Sequence, residues 1–335
     1  IKMKFRTAEV VFDGHPDKLC DQISDAILDA YLAEDPDSRV AIETMGGHGK
    51  LVIMGEVTSK ANIEIEEIAS QVYSDLGYKD EIGIFTNIVK QSPDIAQGVD
   101  DGGAGDQGIM VGYATNETEE MLPKELVLAR KLAKAVSKFK GYGPDGKCQV
   151  TLNDKGEVET VVLSVQTTKT PIGQSVVEKI LNHKIKEYYF NPTGKFEVGG
   201  LIADTGLTGR KLVVDNYGPQ IPLGGGAFSG KDPSKVDRSA AYMARYLAKR
   251  MVKEFDLDNA LVKIAYSIGV AEPVMVTVQG KKMDRTVNIN IGGLKNIPDL
   301  TPQGIIKFLD LKRPIYQETA KWGHFGNKNF KWEQI

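Results

Sequence analysis

Cysteine is almost absent from this chain. Cys20 and Cys148 are the only two among 335 residues. They lie far apart, in no Cys-x-x-Cys or Cys/His spacing, which excludes a disulfide framework and a zinc site and reads as reduced thiols of a cytoplasmic protein. An excess of one charge is missing too. With 42 Lys and Arg against 45 Asp and Glu, the net charge is −3, which argues against nucleic acid or a membrane surface as the main partner. No apolar run reaches spanning length, no secretory pattern is visible, and Asn116-Glu117-Thr118 reads as an accidental sequon. Low-complexity segments, internal repeats and a nucleophilic triad are likewise not found.

What remains is an ordinary globular composition, 41% hydrophobic and 26% charged, long enough for two or three compact units. Leu19, Ile23, Ile27 and Tyr31 recur on one face and predict a helix over residues 18 to 34, between Pro16 and Pro36. Glycine-closed helices are expected at 62 to 76 and 124 to 140, with others near 174 to 188, 235 to 255 and 301 to 309. Strands are expected at 40–45, 51–58, 109–113, 158–166, 197–202, 261–269 and 274–279. This irregular mixture suggests an α+β fold with helices on one side of each sheet. Glu43 interrupts one apolar strand, and Glu56 shares a face with Val52 and Met54. Either carboxylate could be functional or lie on a solvated face. Gln97 to Gly108 and Gly199-Gly200 are the candidate domain joints.

The most informative stretch is Gly224-Gly225-Gly226-Ala227-Phe228-Ser229-Gly230-Lys231-Asp232-Pro233-Ser234-Lys235-Val236-Asp237-Arg238. Glycines let backbone amides face an anion, lysines neutralise phosphate oxygens, and aspartates can hold a polyphosphate's metal ion. A surface turn before a basic helix is the alternative. Two familiar fingerprints match by accident. Gly103 to Gly108 fits G-x-G-x-x-G, but a strand-like run follows where a helix is required. Gly225 to Lys231 fits G-x-x-x-x-G-K, but Asp232 and Pro233 replace the hydroxyl residue and the helix that a P-loop needs.

Six motifs, in order, closely resemble the S-adenosylmethionine synthetase family: Gly14-His15-Pro16-Asp17-Lys18, Gln91-Ser92-Pro93-Asp94, Gly103-Ala104-Gly105-Asp106-Gln107-Gly108-Ile109-Met110, Asn191-Pro192-Thr193-Gly194-Lys195-Phe196, Asp204 to Lys211, and Gly224 to Arg238. The resemblance runs from about residue 8 to Phe330-Lys331-Trp332-Glu333. It implies condensation of ATP and L-methionine to S-adenosylmethionine, with the triphosphate then cleaved to pyrophosphate and phosphate. The missing triad agrees with this. A thioether sulfur is already a nucleophile, so the site must align the reactants and stabilise an anionic leaving group.

The resemblance also implies roles, residue by residue. His15 sits beside the departing oxygen and gives it a hydrogen bond or charge, and Asp17 and Asp237 each hold one of two Mg2+ ions. Asp17 and Asp237 could, on pattern alone, be helix-start acids. Lys147, Arg210, Lys211 and Lys231 form a phosphate clamp, with Arg210 gripping triphosphate during its hydrolysis. Phe196, Ile268 and Asp145 meet the nucleoside, Lys195 precedes the adenine-stacking ring, and Ala227 approaches ATP through its backbone. Glu56, Gln91, Asp106 and Lys235 match the methionine positions, Asp204 is shared by nucleoside and amino acid, and Glu43 is a potassium ligand.

The implied fold is three similar α+β domains around a pseudo-threefold axis, in blocks 1–94, 103–199 and 200–335 whose segments can exchange. Its active sites form between two subunits, commonly in a dimer of dimers. Three departures stand out. Phe12-Asp13 replaces the usual Ser-Glu, Lys195 replaces an arginine, and Ile95 to Gly102 is shorter than the family's polar lid segment, which predicts a reduced gate. A triphosphatase that transfers no adenosyl group would lack the methionine set, and a silent homologue would lose His15, Asp17 or Lys235. All of these residues are present.

Overall fold

The computed structural model describes residues 4–91, 102–283 and 285–335. Ser92 to Asp94 and all of the short lid segment except Gly102 lie outside them. After strand β1 (Arg6–Val11), the chain builds one arrangement three times: a helix, a β-hairpin, and a second helix. The first comprises α1 (Pro16–Glu34), β2 (Arg39–Gly47), β3 (Lys50–Thr58) and α2 (Ile65–Asp75), followed by β4 (Gly83–Val89). After β5 (Gly108–Thr115), the second comprises α3 (Lys124–Val136), β6 (Tyr142–Leu152), β7 (Val158–Thr167) and α4 (Gln174–Leu181), followed by β8 (Ile185–Phe190). Two short helices, α5 (Gly200–Ala203) and α6 (Leu212–Asp215), flank β9 (Gly206–Leu207). The third comprises α7 (Val236–Glu254), β10 (Asn259–Tyr266), β11 (Met275–Lys282), β12 (Arg285–Ile289) and α8 (Pro302–Leu309), and α9 (Tyr316–Trp322) follows.

Among the described residues three four-stranded sheets result, in the orders β9-β2-β3-β4, β1-β6-β7-β8 and β5-β10-β11-β12. In the first two, the hairpin is antiparallel and its second strand pairs parallel with the strand after the short helix, because α2 and α4 supply the crossover that a parallel pair needs. In the third, β12 follows β11 directly and pairs antiparallel. The edge strands β9, β1 and β5 come from distant parts of the chain.

Most expected elements form, with shifted ends. The helix expected to reach residue 140 ends at Val136, capped by Ser137, and Gly141 turns the chain at φ +90°. The one expected over 174–188 stops at left-handed Asn182, and its second half is β8. The strand expected at 197–202 is instead an extended segment followed by α5, because Gly200 takes φ +65° and gives its N–H to Asp145. Strands β1, β4, β6, β8, β9 and β12 and helix α9 were not signalled by periodicity.

Candidate active site

Helix α1 is the spine of the site. Asp17, Asp21, Asp25 and Asp29 recur every four residues, so they line one face. Each accepts hydrogen bonds from backbone far away in sequence. Leu207 donates to Asp17 at 2.9 Å, Gly209 to Asp21 at 2.8 Å and Gly230 to Asp25 at 2.8 Å. Tyr316 and Gln317 donate to Asp29 at 2.8–3.0 Å. The ladder fixes the loop of Arg210 and Lys211, and the loop of Lys231, against one helix.

Around the start of α1 a first group gathers. His15 caps the helix, its Nδ1 accepting from Asp17 N–H at 3.2 Å, which leaves the ring proton on Nε2. Burial, with the facing cations of Lys211 and Lys147, pushes the ring down to about 3 against the pull of Asp17 and Asp204. The histidine is therefore neutral in this structure. In that form it offers a hydrogen bond from Nε2–H. Asp17 is paired with Lys211 Nζ and lies 3.5 Å from Arg210 Nε. Burial works to raise its carboxyl, but Lys211 and the Leu207 amide outweigh it and hold it below the usual range. Asp145, on β6 with Lys147, accepts from Gly200 N–H at 2.9 Å, and burial raises it to about 6.

A second group forms on the glycine-rich loop and the first turn of α7. Lys231 Nζ donates to Asp237 Oδ2 at 2.7 Å. Gly226 packs against that carboxylate so closely that a Cβ there would stand 2.2 Å from Asp237 Oδ1. Lys235 pairs with Asp232, which also accepts from Val40 N–H at 2.7 Å and Ser234 N–H at 2.8 Å. Asp232, the residue that breaks the P-loop pattern, is thus a clasp that sets the loop on β2. Ala227 touches Gly209, where an added Cβ would come within 2.6 Å of its own, so the two loops meet.

The remaining expected residues are more dispersed. Glu43 and Glu56 lie on β2 and β3, on the open face of that sheet beside exposed Met45, Met54, Phe85 and Val89. Gln91 is buried with its Oε1 unpartnered, and Asp106 accepts from Gln107 N–H at 2.7 Å. Among the described residues no hydrogen bond or ion pair joins Glu56, Gln91 or Asp106 to the phosphate groups. Asp204 is exposed and bonded to Thr205 N–H, and Lys195 is exposed near Glu197. Phe196 pairs through its backbone with Thr167, whereas Ile268 bridges to Ala104, so these two sit at different sheets. Phe12 is fully buried in the core under β6, and the Asp13 carbonyl accepts from Gln22 Nε2 at 2.6 Å.

Of the two carboxylates expected to hold a metal ion, Asp17 has both oxygens engaged, by Leu207 N–H and by Lys211, and Asp237 has one. Among the described residues no cluster of three or more His, Cys, Asp or Glu could hold a metal alone. Mg2+ needs only one or two protein carboxylates when phosphates and water complete its shell, and Asp237 keeps Oδ1 off its lysine in the space left by Gly226. Sequence reasoning gave no role to Asp21 or Asp25, although the four-residue spacing of aspartates was a visible signal, and read Asp232 and Arg238 only as members of the loop motif.

Three family models cover the chain in order. The N-terminal domain of S-adenosylmethionine synthetase matches residues 3–96, the central domain 101–196 and the C-terminal domain 198–334. The S-adenosylmethionine synthase of Brachyspira hyodysenteriae is 44% identical over 383 aligned residues, covering 100% of this chain and 96% of that protein. With every motif, each sheet unit and nearly the full length accounted for, this chain belongs to the S-adenosylmethionine synthetase family.

Proposed function

We propose that this protein condenses ATP and L-methionine with water to S-adenosyl-L-methionine, pyrophosphate and phosphate, as a methionine adenosyltransferase. The observation that carries this is the convergence of His15, Asp17, Lys147, Arg210 and Lys211 from three separated segments, with the Lys231–Asp237 loop touching them through Gly209 and Ala227. The methionine sulfur gives its lone pair to ribose C5′. The C5′–O bond breaks, and its electron pair leaves on triphosphate. His15 Nε2–H donates to that oxygen, while Lys147, Lys211 and Lys231 neutralise the chain and Arg210 can grip two oxygens at once. Arg210, half exposed in this structure, then holds triphosphate while water cleaves a P–O bond.

Asp17 and Asp237 would hold two Mg2+ ions. When bound, these supply charge neutralisation and order among the phosphate oxygens. Glu56, Gln91, Asp106 and Lys235 take methionine, Asp204 both substrates, and Asp145, Lys195, Phe196, Ala227 and Ile268 the nucleoside. Glu43 takes K+. The open face that carries Glu43 and Glu56 exposes Met45, Met54, Phe85 and Val89, and its apolar character supports a second copy of the chain as its cover, with the active site between subunits. No helix of the described residues is long and apolar enough to cross a membrane. Incubation with ATP, methionine, Mg2+ and K+ should yield adenosyl product with both phosphate products. Formation of ADP and phosphate alone would reject the reading.

A further inference from the structure

A cleft of about 210 Å³ opens between α3, α9 and the Gly323 to Asn327 segment. It shares no residue with either phosphate group. One wall is a turn of α3 carrying Arg130, Lys131 and Lys134. Arg130 is only 7% exposed, yet every hydrogen bond it makes goes to a neutral carbonyl. Its Nη1 donates to Phe325 at 2.6 Å, and its Nη2 to Val214, Asp215 and Asn216 at 3.2, 2.9 and 3.3 Å. The Asp215 carboxylate is taken by Lys18, and Arg130 Nε has no partner. Burial lowers the guanidinium to about 10. A buried cation whose nearby carboxylates, Asp215 first, give it no hydrogen bond is costly, and here its side chain lines a cavity.

The neighbours share this shortage of anions. Among the described residues neither Lys131 nor Lys134 has an ion-pair partner, and Lys134 Nζ sits 5.9 Å over the Trp322 ring. Of the two acids on the wall, Glu318 is paired with Lys321 at 3.0 Å, leaving Glu120. Leu122, Val127 and Trp322 supply apolar surface. A few convergent charges beside a flat apolar wall define the occupant: an anionic head for Arg130 and Lys134, and a planar body for Trp322. We propose that this cleft is a binding site for a small aryl carboxylate, separate from the substrate site. Because Arg130 also ties down the end of α6, whose N-cap is Lys211, the occupant is one contact away from the phosphate clamp.

Calorimetry of the intact protein with 4-nitrobenzoate tests this without any turnover, so its outcome is independent of the proposed reaction. Saturable binding is expected, with the neutral isostere 4-nitrobenzamide and the Lys134→Gln variant each weaker by about tenfold or more, the loss of one charge-assisted contact. Saturating ATP should not displace it. The chain has two tryptophans, and Trp332 is fully buried against Tyr242. Quenching by the probe should therefore vanish in Trp322→Phe. Absent saturation, equal affinity for the amide, indifference to Lys134→Gln, or displacement by ATP each overturns the assignment.

Discussion

Asp25 and Arg238 are joined by two hydrogen bonds, 2.6 Å from Nη1 to Oδ1 and 2.8 Å from Nη2 to Oδ2, with neither side chain exposed. The pair ties α1 to α7, and Asp25 also anchors the Lys231 loop through Gly230. Asp25→Asn would leave a buried guanidinium unpaired and should cost about 3–5 kcal/mol of stability. Chemical denaturation of the variant checks this. A cost under about 1 kcal/mol would mean that water or another group replaces the pair.

His15 is expected to stay neutral in the substrate-free protein well below its ordinary 6.5, with a midpoint of about 3. Its folded value lies below its unfolded one, so the stability it contributes is present above pH 6.5 and is lost as pH falls toward 3. Bound triphosphate should shift the midpoint upward, because the anion favours the imidazolium. Nitrogen chemical shifts of the ring report both, and a midpoint near 6.5 without ligand would contradict the burial argument.

The two chemical steps should separate by mutation. His15→Asn should slow adenosyl transfer most, and Arg210→Leu should most impair hydrolysis of added triphosphate. Single-turnover assays of each step decide, and the reverse ranking would exchange the two roles.

Asp17→Asn and Asp237→Asn should each raise the magnesium needed for half-maximal rate by about tenfold or more while the fold survives, since the amide keeps shape and loses charge. Gly226→Ala should act like Asp237→Asn, because its methyl would stand 2.2 Å from the Asp237 carboxylate. Unchanged magnesium titrations would remove these carboxylates from the metal site.

Asp29 couples stability to pH in the opposite sense from His15. Burial raises its carboxyl to about 7, despite the amides of Gln317 and Tyr316 at the start of α9. A raised folded value means that its contribution is complete below 3.8 and is lost as pH rises through about 7. Asp29→Asn should therefore gain stability relative to the parent between those limits, as read from thermal midpoints across the range. A constant difference would exclude the shift.

Some of this was legible before any coordinates. Helices α1 and α2 follow from local periodicity and end signals, α7 and α8 from local pattern, and the hairpin strands β2, β3, β7, β10 and β11 from apolar runs, because these signals are local. Strands β1 and β9 carry too little pattern of their own and exist because a distant hairpin offers them an edge. Gly200 reads as a strand residue until the Asp145 carboxylate, 55 positions away, claims its amide.

The linear order of the motifs, a chemical matter of residue types, was enough to determine the family and the reaction class. Only the tertiary structure decided how those loops are held. The contacts from Leu207 to Asp17, Gly209 to Asp21 and Gly230 to Asp25 span 190, 188 and 205 residues. It also decided that burial and facing lysines lower His15 and that the hydrogen bonds of buried Arg130 go to carbonyls alone. Protonation and pairing depend on desolvation and on which charges fold within a few ångströms, and neither quantity exists in a chain until it has collapsed.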